Sequence, residues 1–279
     1  MKTHAFLVNG ELNQSISPLD RGLAYGDGIF RTLRIQSGLP CNWHSHYQKL
    51  VADCSTIGIV CPSAELLIDD IHRLFMEDVL ESKNATAKII VTRGEGERGY
   101  APPAITLPTR IVMKSAMPSY AADNYSHGVS LHLCKTRLAI QPQLAGIKHL
   151  NRLENVLARM EWRDEQVFDG LMLDANDNVT ECTMSNIFAR FGNALMTPPL
   201  NLCGVAGITR QQILALSKPL NLFVNEGKLS VEKLYEADEV IICNSLYGVF
   251  QVRQIADKNW AAQPLAATLR SMLKYDEAH

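Results

Sequence analysis

Two short segments constrain this chain more than its other features do. Residues 146–154 read GIKHLNRLE, and residues 178–188 read NVTECTMSNIF. In the first segment, Leu150 and the apolar residues after it recur at helical spacing, which predicts an amphipathic helix that begins just after Lys148. An amine at such a junction is held by the helix start without lying on the solvent face of the helix. This placement suits a lysine that must form a Schiff base.

The second segment predicts a strand that carries a buried carboxylate. Val179, Glu181 and Ile187 fall on the same face because successive side chains alternate, so Glu181 points where its apolar neighbours point. A carboxylate in the interior needs a cationic or proton-donating partner, and a pyridinium nitrogen is one candidate. Each residue by itself also has a simpler interpretation. A lysine before a helix is usually solvated, and a glutamate in a strand usually lies at an edge.

Together the two segments resemble the fold-type IV pyridoxal-phosphate enzymes, which include branched-chain aminotransferases, D-amino-acid aminotransferases and 4-amino-4-deoxychorismate lyases. The wording of both segments is most similar to the lyases. The resemblance continues through residues 20–32 (DRGLAYGDGIFRT), 91–100 (VTRGEGERGY), 207–211 (GITRQ) and 239–246 (EVIICNSL). It implies a mixed α/β (α+β) chain of two domains with pyridoxal 5′-phosphate in the cleft between them, usually in a homodimer.

The resemblance also assigns chemistry to particular residues. Lys148 matches the Schiff-base lysine of the family, and Glu181 matches the partner of the pyridine nitrogen. Thr32 falls where the lyases have a threonine that assists proton transfer beside the lysine, although a β-branched strand residue is its simpler interpretation. The implied reaction is β-elimination, which releases pyruvate from 4-amino-4-deoxychorismate and leaves 4-aminobenzoate for folate synthesis.

Other positions match the phosphate-binding residues of the family. Ile208 and Thr209 stand at a predicted helix start, where backbone N–H groups and the positive end of the helix dipole favour an anion, although a simple helix cap is the commoner role. Asn244 and Ser245 match the second phosphate loop. Lys49 replaces the arginine that the family normally has in an H-x-x-R-L pattern. Lysine keeps the charge but loses the two-pronged fork.

The substrate of the lyases carries two carboxylates, so we expect cationic or polar side chains to bind it. The candidates within the matching segments are Arg98, Arg152 and Tyr25. His44 and His46 are two residues apart on a predicted helix and do not face each other, so they do not predict a metal site.

Composition is typical of a soluble globular protein and disfavours several other classes. The 279 residues are 47% hydrophobic and 20% charged, with a formal charge of −2, which gives no reason to expect nucleic acid or an acidic membrane surface as partner. Residues 1–8 lack the apolar region of a signal peptide, and no apolar run reaches membrane-spanning length. Seven cysteines without a C-x-x-C pair indicate reduced thiols and a cytoplasmic location.

Strand and helix patterns alternate irregularly, which argues against a doubly wound parallel sheet. A segment with Pro118 and small residues predicts a linker at 116–124, between an N-terminal domain at 1–115 and a C-terminal cofactor domain at 125–279. We predict strands at 5–8, 29–35, 87–92, 105–113, 129–133, 170–173 and 240–243, and helices at 44–57, 63–80, 208–220 and 264–273.

Three alternatives to the lyase remain open from the sequence. An aminotransferase would keep the fold and change the chemistry, and a non-catalytic pyridoxal-phosphate carrier would use Lys148 and Glu181 only to hold the cofactor. Residues 94–99 also form a G-x-G-x-x-G after a strand. Residues 100–103, which read YAPP, cannot open the helix that would hold a pyrophosphate, so the sequence disfavours a dinucleotide site.

Overall fold

The computed structural model describes residues 5–81 and 84–275, so the first four residues of the N-terminal segment lie outside the described part. The chain divides into two compact units. The first unit comprises residues 1–118 and 148–151, and the second comprises residues 119–147 and 152–279. The linker at 116–124 stays a prediction of domain organisation.

The first unit is built on a six-stranded antiparallel sheet. Its strands are β1 (Phe6–Val8), β2 (Glu11–Leu12), β3 (Gly28–Gln36), β4 (Leu39–Pro40), β5 (Asn84–Thr92) and β6 (Thr109–Ala116). Their order across the sheet is β2-β1-β6-β5-β3-β4. β3 pairs with β5 along its whole length, from Gly28 opposite Thr92 to Gln36 opposite Asn84. The predicted strand at 105–113 starts late, at Thr109, because Pro108 cannot donate a ladder hydrogen bond.

Three helices accompany this sheet: α1 (Arg21–Tyr25), α2 (Trp43–Thr56) and α3 (Ala64–Glu81). Leu50 of α2 and Phe75 of α3 are buried with Leu33 of β3 in one apolar core. Arg93 closes the end of α2 by donating to the carbonyls of Ile57 (2.6 Å) and Gly58 (2.8 Å). The apolar spacing of the sequence therefore predicts both long helices correctly.

The second unit is built on a nine-stranded mixed sheet. Its strands are β7 (Val129–Leu138), β8 (Val167–Asp174), β9 (Val179–Cys182), β10 (Asn186–Phe191), β11 (Ala194–Thr197), β12 (Phe223–Glu226), β13 (Glu239–Asn244), β14 (Gly248–Ile255) and β15 (Lys258–Asn259). The order is β12-β11-β10-β13-β14-β7-β8-β9, with β15 on β14. Three pairs are parallel, namely β11 with β12, β14 with β7 and β7 with β8. This mixture fits the irregular alternation that the sequence predicts.

The remaining helices belong to the second unit. They are α4 (Ala122–Ser126), α5 (Leu153–Arg159), α6 (Ile208–Leu216), α7 (Val231–Tyr235) and α8 (Leu265–Met272). α6 ends four residues before the prediction, because Pro219 disfavours a helical conformation for Lys218. Phe250 and Val252 of β14 lie in the largest apolar core of this unit. A second core forms where α8 packs Leu269 against Phe188 and Ile241.

Candidate functional site

Lys148 lies in a short extended segment of the first unit that pairs with the start of β3. The Lys148 carbonyl accepts a hydrogen bond from the Phe30 N–H (2.9 Å), and the Leu150 N–H donates to the Gly28 carbonyl (3.0 Å). The prediction of a helix that begins just after Lys148 is therefore wrong, since α5 begins at Leu153. Pairing with a strand more than one hundred residues earlier fixes the backbone here, and the local leucine pattern cannot reveal it.

The apolar residues that suggested the helix are also placed differently from the prediction. An amphipathic helix is expected to bury its apolar side. In α5 and at its end, Leu153 is 77% exposed, Val156 52%, Leu157 55% and Met160 71%. These four side chains, which we call the α5 apolar face, lie on the surface of the second unit.

The Lys148 amine lies beside the Phe30 ring, with 4.9 Å from Nζ to the ring centroid. Lys88 approaches the same ring, with 4.8 Å from Nζ to the centroid. Thr32 is on the same face of β3 as Phe30 and stands opposite Lys88 in β5. This face of the sheet thus brings together the two predicted catalytic residues, Lys148 and Thr32. It adds Lys88, whose sequence signal was a lysine inside an apolar strand.

Lys49 belongs to a buried ionic cluster centred on Asp53. Both Arg31 Nη2 and Lys49 Nζ pair with the Asp53 carboxylate, and the Lys148 backbone N–H lies 3.3 Å from Asp53 Oδ2. Burial lowers the pKa of Lys49 and of Arg31, and the Asp53 carboxylate opposes both shifts. Arg31 and Lys49 thus bring two positive charges to one carboxylate, and cationic side chains of this kind suit a phosphate.

His46 lies against this cluster and is 4% exposed. Burial and the nearby Arg31 guanidinium lower the pKa of His46 to about 3, so the imidazole is neutral at physiological pH. Its Nδ1 atom is buried and makes no hydrogen bond within the described residues. His46 therefore adds no positive charge to the cluster.

Tyr25 and Arg98 lie in segments that contact each other. The Tyr25 hydroxyl accepts a hydrogen bond from the Gly99 N–H (3.1 Å), and its ring centroid is 5.4 Å from that of Tyr100. Arg21 holds the same loop, since it donates to the carbonyls of Gly99 (3.0 Å) and Tyr100 (2.8 Å). Arg98 itself is exposed. α1 therefore supports the loop that presents Arg98, and the sequence analysis gave Arg21 no such role.

Glu181 lies in β9 of the second unit and is 3% exposed, as the alternation predicted. Its Oε2 accepts a hydrogen bond from the Val205 N–H (2.8 Å). The continuous strand predicted through Ile187 is wrong, because the chain turns between β9 and β10. The Cys182 N–H donates to the Ser185 carbonyl (2.7 Å) and closes this turn.

A buried aspartate that the sequence analysis missed holds the turn. Asp169 accepts hydrogen bonds from the Thr183 hydroxyl (2.5 Å), the Ser185 hydroxyl (2.7 Å) and the Gly170 N–H (2.7 Å). Burial raises the pKa of Asp169, and these hydrogen bonds oppose the shift. The Tyr247 hydroxyl donates to Ser185 (2.5 Å) and completes the network. These contacts hold the turn that divides the predicted strand into β9, which pairs with β8, and β10, which pairs with β11 and β13.

The segment that leads into α6 is hydrogen-bonded to Glu181 through the Val205 N–H. Gly207 caps the helix in an extended conformation, and Ile208 and Thr209 form its first turn. The N–H groups of a first helical turn have no acceptor within the helix, so they suit an anion. Thr209 is buried, with its hydroxyl 3.5 Å from the Tyr275 hydroxyl.

Asn244 and Ser245 form the connection between β13 and β14. The Asn244 Oδ1 atom accepts hydrogen bonds from the N–H groups of Leu246 (2.9 Å) and Tyr247 (3.2 Å). Its Nδ2 atom donates to the Met184 carbonyl (3.4 Å), in the turn after β9. Asn244 therefore shapes this loop, and the half-buried Ser245 follows it.

Arg152 stands at the N-cap position of α5 and is half-buried. Its Nη2 atom donates to the Ile147 carbonyl (3.0 Å). This contact turns the side chain back along the chain. A role in substrate binding for Arg152 stays a prediction.

Each unit carries side chains whose chemistry suits pyridoxal phosphate. The first unit offers the Lys148 amine and the cationic side chains of Arg31 and Lys49. The second offers the buried Glu181 carboxylate, an acceptor that suits a protonated ring nitrogen, and the N–H groups at the start of α6. In the described part of the chain, no group of three His, Cys, Asp or Glu side chains could hold a metal ion. The described helices are all too short or too polar to cross a membrane.

Comparisons with known proteins agree with this chemistry. The family model for amino-transferase class IV matches residues 28–255. The aminodeoxychorismate lyase of Vibrio harveyi is 36% identical over 252 residues, which are 90% of this chain and 91% of that lyase. The crystal structure of 4-amino-4-deoxychorismate lyase from Pseudomonas aeruginosa has a TM-score of 0.91 and 40% identity, and the match covers 98% of this chain and 100% of that one.

A more distant solved structure shares the fold. The branched-chain amino acid aminotransferase of T. th., solved in complex with N-(5′-phosphopyridoxyl)-L-glutamate, has a TM-score of 0.84 and 20% identity. The match covers 100% of this chain and 95% of that one. These likenesses confirm the predicted mixed α/β fold class.

Proposed function

The chain belongs to the amino-transferase class IV family, whose enzymes use pyridoxal phosphate, and on that premise we propose that it is a 4-amino-4-deoxychorismate lyase. The observation that carries this proposal is the full-length similarity to lyases from two organisms, at a higher identity than to the aminotransferase. The reaction would release pyruvate and leave 4-aminobenzoate for folate synthesis.

When bound, the cofactor supplies an electron-withdrawing ring that accepts the charge left by a departing proton. In the proposed reaction the Lys148 amine removes the proton from the amino-bearing carbon of the substrate. The bond between the substrate ring and the oxygen of the enolpyruvyl group then breaks, and the substrate ring becomes aromatic. Lys148 returns a proton to the enolpyruvate, which yields pyruvate. Thr32 lies on the Lys148 side of β3, where its hydroxyl would orient this amine.

Other residues would hold the cofactor. Glu181 would keep the ring nitrogen protonated, because a buried carboxylate stabilises a neighbouring positive charge. Ile208 and Thr209 would bind the phosphate through the first turn of α6. Lys49 would add a charge to the phosphate, in exchange for part of its pairing with Asp53. Asn244 and Ser245 would border the phosphate as the second loop.

The two carboxylates of the substrate need partners of their own. Arg98 is exposed on the loop that Arg21 and Tyr25 support, so its guanidinium is available to a ligand. Arg152 would serve the other carboxylate, and the Tyr25 hydroxyl would add a hydrogen bond.

We further propose a homodimer in the cytoplasm. The α5 apolar face exposes four large side chains, and covering them with a second copy would bury them. The seven cysteines are free thiols, which suits a reducing compartment. Sedimentation of the protein should show two copies. Met160→Glu, which places a charge on that face, should favour the single chain if the face is the interface.

The test of the reaction is turnover of 4-amino-4-deoxychorismate without a keto acid. An elimination leaves the cofactor unchanged, whereas a transamination leaves the amino group on the cofactor until a keto acid removes it. We expect pyruvate and 4-aminobenzoate to accumulate over many cycles with substrate alone. A burst of one equivalent that restarts only after a keto acid is added would replace the lyase by an aminotransferase.

A further inference from the structure

Asn186 is the first residue of β10. Both the nitrogen and the oxygen of its side-chain amide make hydrogen bonds to the segment that precedes α6. Its Nδ2 atom donates to the Val205 carbonyl (2.8 Å), and its Oδ1 atom accepts a hydrogen bond from the Gly207 N–H (3.1 Å). Asn186 is 6% exposed. The residue belongs to the segment 178–188, whose sequence pattern assigns it no role.

The same segment is bound from a second direction. The Val205 N–H donates to Glu181 Oε2 (2.8 Å), so Val205 contacts Glu181 through its N–H and Asn186 through its carbonyl. Gly207, two residues later, is the N-cap of α6. Asn186 therefore connects the residue that supports the Glu181 carboxylate with the residue from which α6 starts.

Gly207 shows how close this contact is. A Cβ added to Gly207 would lie 2.4 Å from Asn186 Oδ1, a distance that such atoms do not tolerate. The backbone of Gly207 has φ −73°, a value that any residue adopts. The need for glycine here comes from the Asn186 side chain and not from the backbone conformation.

We propose that Asn186 is a positioning residue for the cofactor. Its side chain holds the Val205 backbone in contact with Glu181, and it also holds Gly207 at the start of α6. The distance between the carboxylate for the ring nitrogen and the N–H donors for the phosphate is therefore fixed. The inference rests on the roles proposed above for Glu181 and for the first turn of α6. It does not depend on whether the reaction is elimination or transamination.

The second unit offers a matched control. The Gln251 amide donates to the Ala261 carbonyl (2.7 Å) and accepts a hydrogen bond from the Gln263 N–H (2.8 Å). Gln251 thus holds a carbonyl and an N–H two residues apart, as Asn186 does, and it is 7% exposed. Removing either amide leaves a backbone carbonyl and a backbone N–H without the side-chain partner that they have in the parent protein. Val205 is buried, whereas Ala261 and Gln263 are exposed.

The experiment compares Asn186→Ala with Gln251→Ala. Pyridoxal phosphate is titrated into each apoprotein, and the dissociation constant, the visible absorbance of the bound cofactor against pH, and the melting temperature are measured. We expect Asn186→Ala to raise the dissociation constant about tenfold or more and to shift the pH midpoint of the absorbance. Gln251→Ala should lower the melting temperature while its dissociation constant stays within about twofold of the parent.

Gly207→Ala supplies a second variant that leaves Asn186 in place, in case Asn186→Ala does not fold. The added methyl displaces the Asn186 oxygen, so Gly207→Ala should also weaken cofactor binding. In the Asn186→Ala background the methyl has room, and the same change should cost little. Additive effects of the two substitutions would overturn the proposal, as would a normal dissociation constant in Asn186→Ala or an equal loss in Gln251→Ala.

These outcomes are separate from those that test the proposed function. Cofactor binding is measured without substrate. If turnover stops after one equivalent while Asn186→Ala still weakens cofactor binding, the lyase assignment fails and the positioning role of Asn186 stands.

Discussion

The surroundings of Lys148 and those of Glu181 are built from different interactions. Around Lys148, full charges meet: Asp53 pairs with Arg31 and Lys49. Beside Glu181, a backbone N–H and a neutral side-chain amide position the segment that contacts the carboxylate. We expect the two regions to respond differently to loss of charge and to acid. Loss of a carboxylate should affect folding beside Lys148, and at Glu181 it should affect the chemistry.

The largest effect is expected at Lys148. Lys148→Ala should lower turnover about a thousandfold or more, because both the covalent link and the proton carrier are lost. Borohydride reduction followed by peptide mapping should place the cofactor on Lys148 in the parent protein. Lys88→Ala is the matched control, since Lys88 lies beside the same Phe30 ring. A label on Lys88 would reverse the assignment of the two lysines.

Asp53→Asn tests the charged side of the comparison. The change leaves Arg31 and Lys49 without their carboxylate, so the free energy of unfolding should fall by about 3 kcal/mol in denaturant titrations. Asp70→Asn is the control, because Asp70 is equally buried but pairs with one cation, Arg110, among the residues that the structure describes. Inorganic phosphate should restore part of the lost free energy of unfolding in Asp53→Asn and none of it in Asp70→Asn. Equal responses would show that the Asp53 cluster does not bind an anion.

The same change of carboxylate to amide in the second unit should act on the chemistry. Glu181→Gln keeps an oxygen to accept the Val205 N–H, so cofactor retention and stability should change little. Turnover should fall about a hundredfold, because a neutral amide no longer favours the protonated ring nitrogen. A large loss of stability with near-normal turnover would remove the distinction between the two units.

The smallest expected effect is a loss of stability in acid that comes from His46 in the first unit. The pKa of His46 is about 3 in the folded protein and 6.5 ordinarily, so the unfolded chain takes up the proton first as the pH falls. Stability from neutral His46 is complete above pH 6.5 and is lost toward pH 3, a loss of about 2 kcal/mol by pH 5. His46→Gln should flatten the denaturation midpoint between pH 7 and 5, and His44→Gln, at an exposed position, should not.

For Asp169 in the second unit, the expected change of stability with pH is opposite to that for His46. Burial raises its pKa, so the stability that it contributes is present below the unfolded pKa and is lost as the pH rises through the folded value. An Asp169→Asn variant that left the pH profile unchanged would mean that the pKa of Asp169 is the same in the folded and unfolded states, because its three donors balance its burial.

The sequence predicted elements where local pattern and packing agree, and it failed where distant residues decide. The apolar spacing of α2 and α3 predicted both helices, and alternation predicted the burial of Glu181. The helix after Lys148 failed because β3 holds that segment through hydrogen bonds. The strand through Ile187 failed because Asp169, in another strand, accepts the hydroxyls of the turn.

Only part of the site could be predicted from the sequence, because distant residues decide the rest. Motif resemblance identified residues whose chemical type is enough, such as Lys148 and Glu181, and their roles stay predictions. Lys88 and Arg21 went without roles because their significance depends on a ring and on a loop that lie far away in the sequence. Lys49 was recognised as a charge, but its partner Asp53, one helical turn later, was not.

The separation of residues 148–151 from the rest of the first unit has a consequence for synthesis of the chain. Residues 1–118 leave the ribosome well before Lys148, and at about 5–20 residues per second the delay is a few seconds. During that time the Phe30 N–H and the Gly28 carbonyl lack the partners that they have in the finished protein. The first unit therefore matures only after part of the second has been made. A fragment that stops at residue 118 would carry an open strand edge and no Lys148, which makes it prone to pair with other chains.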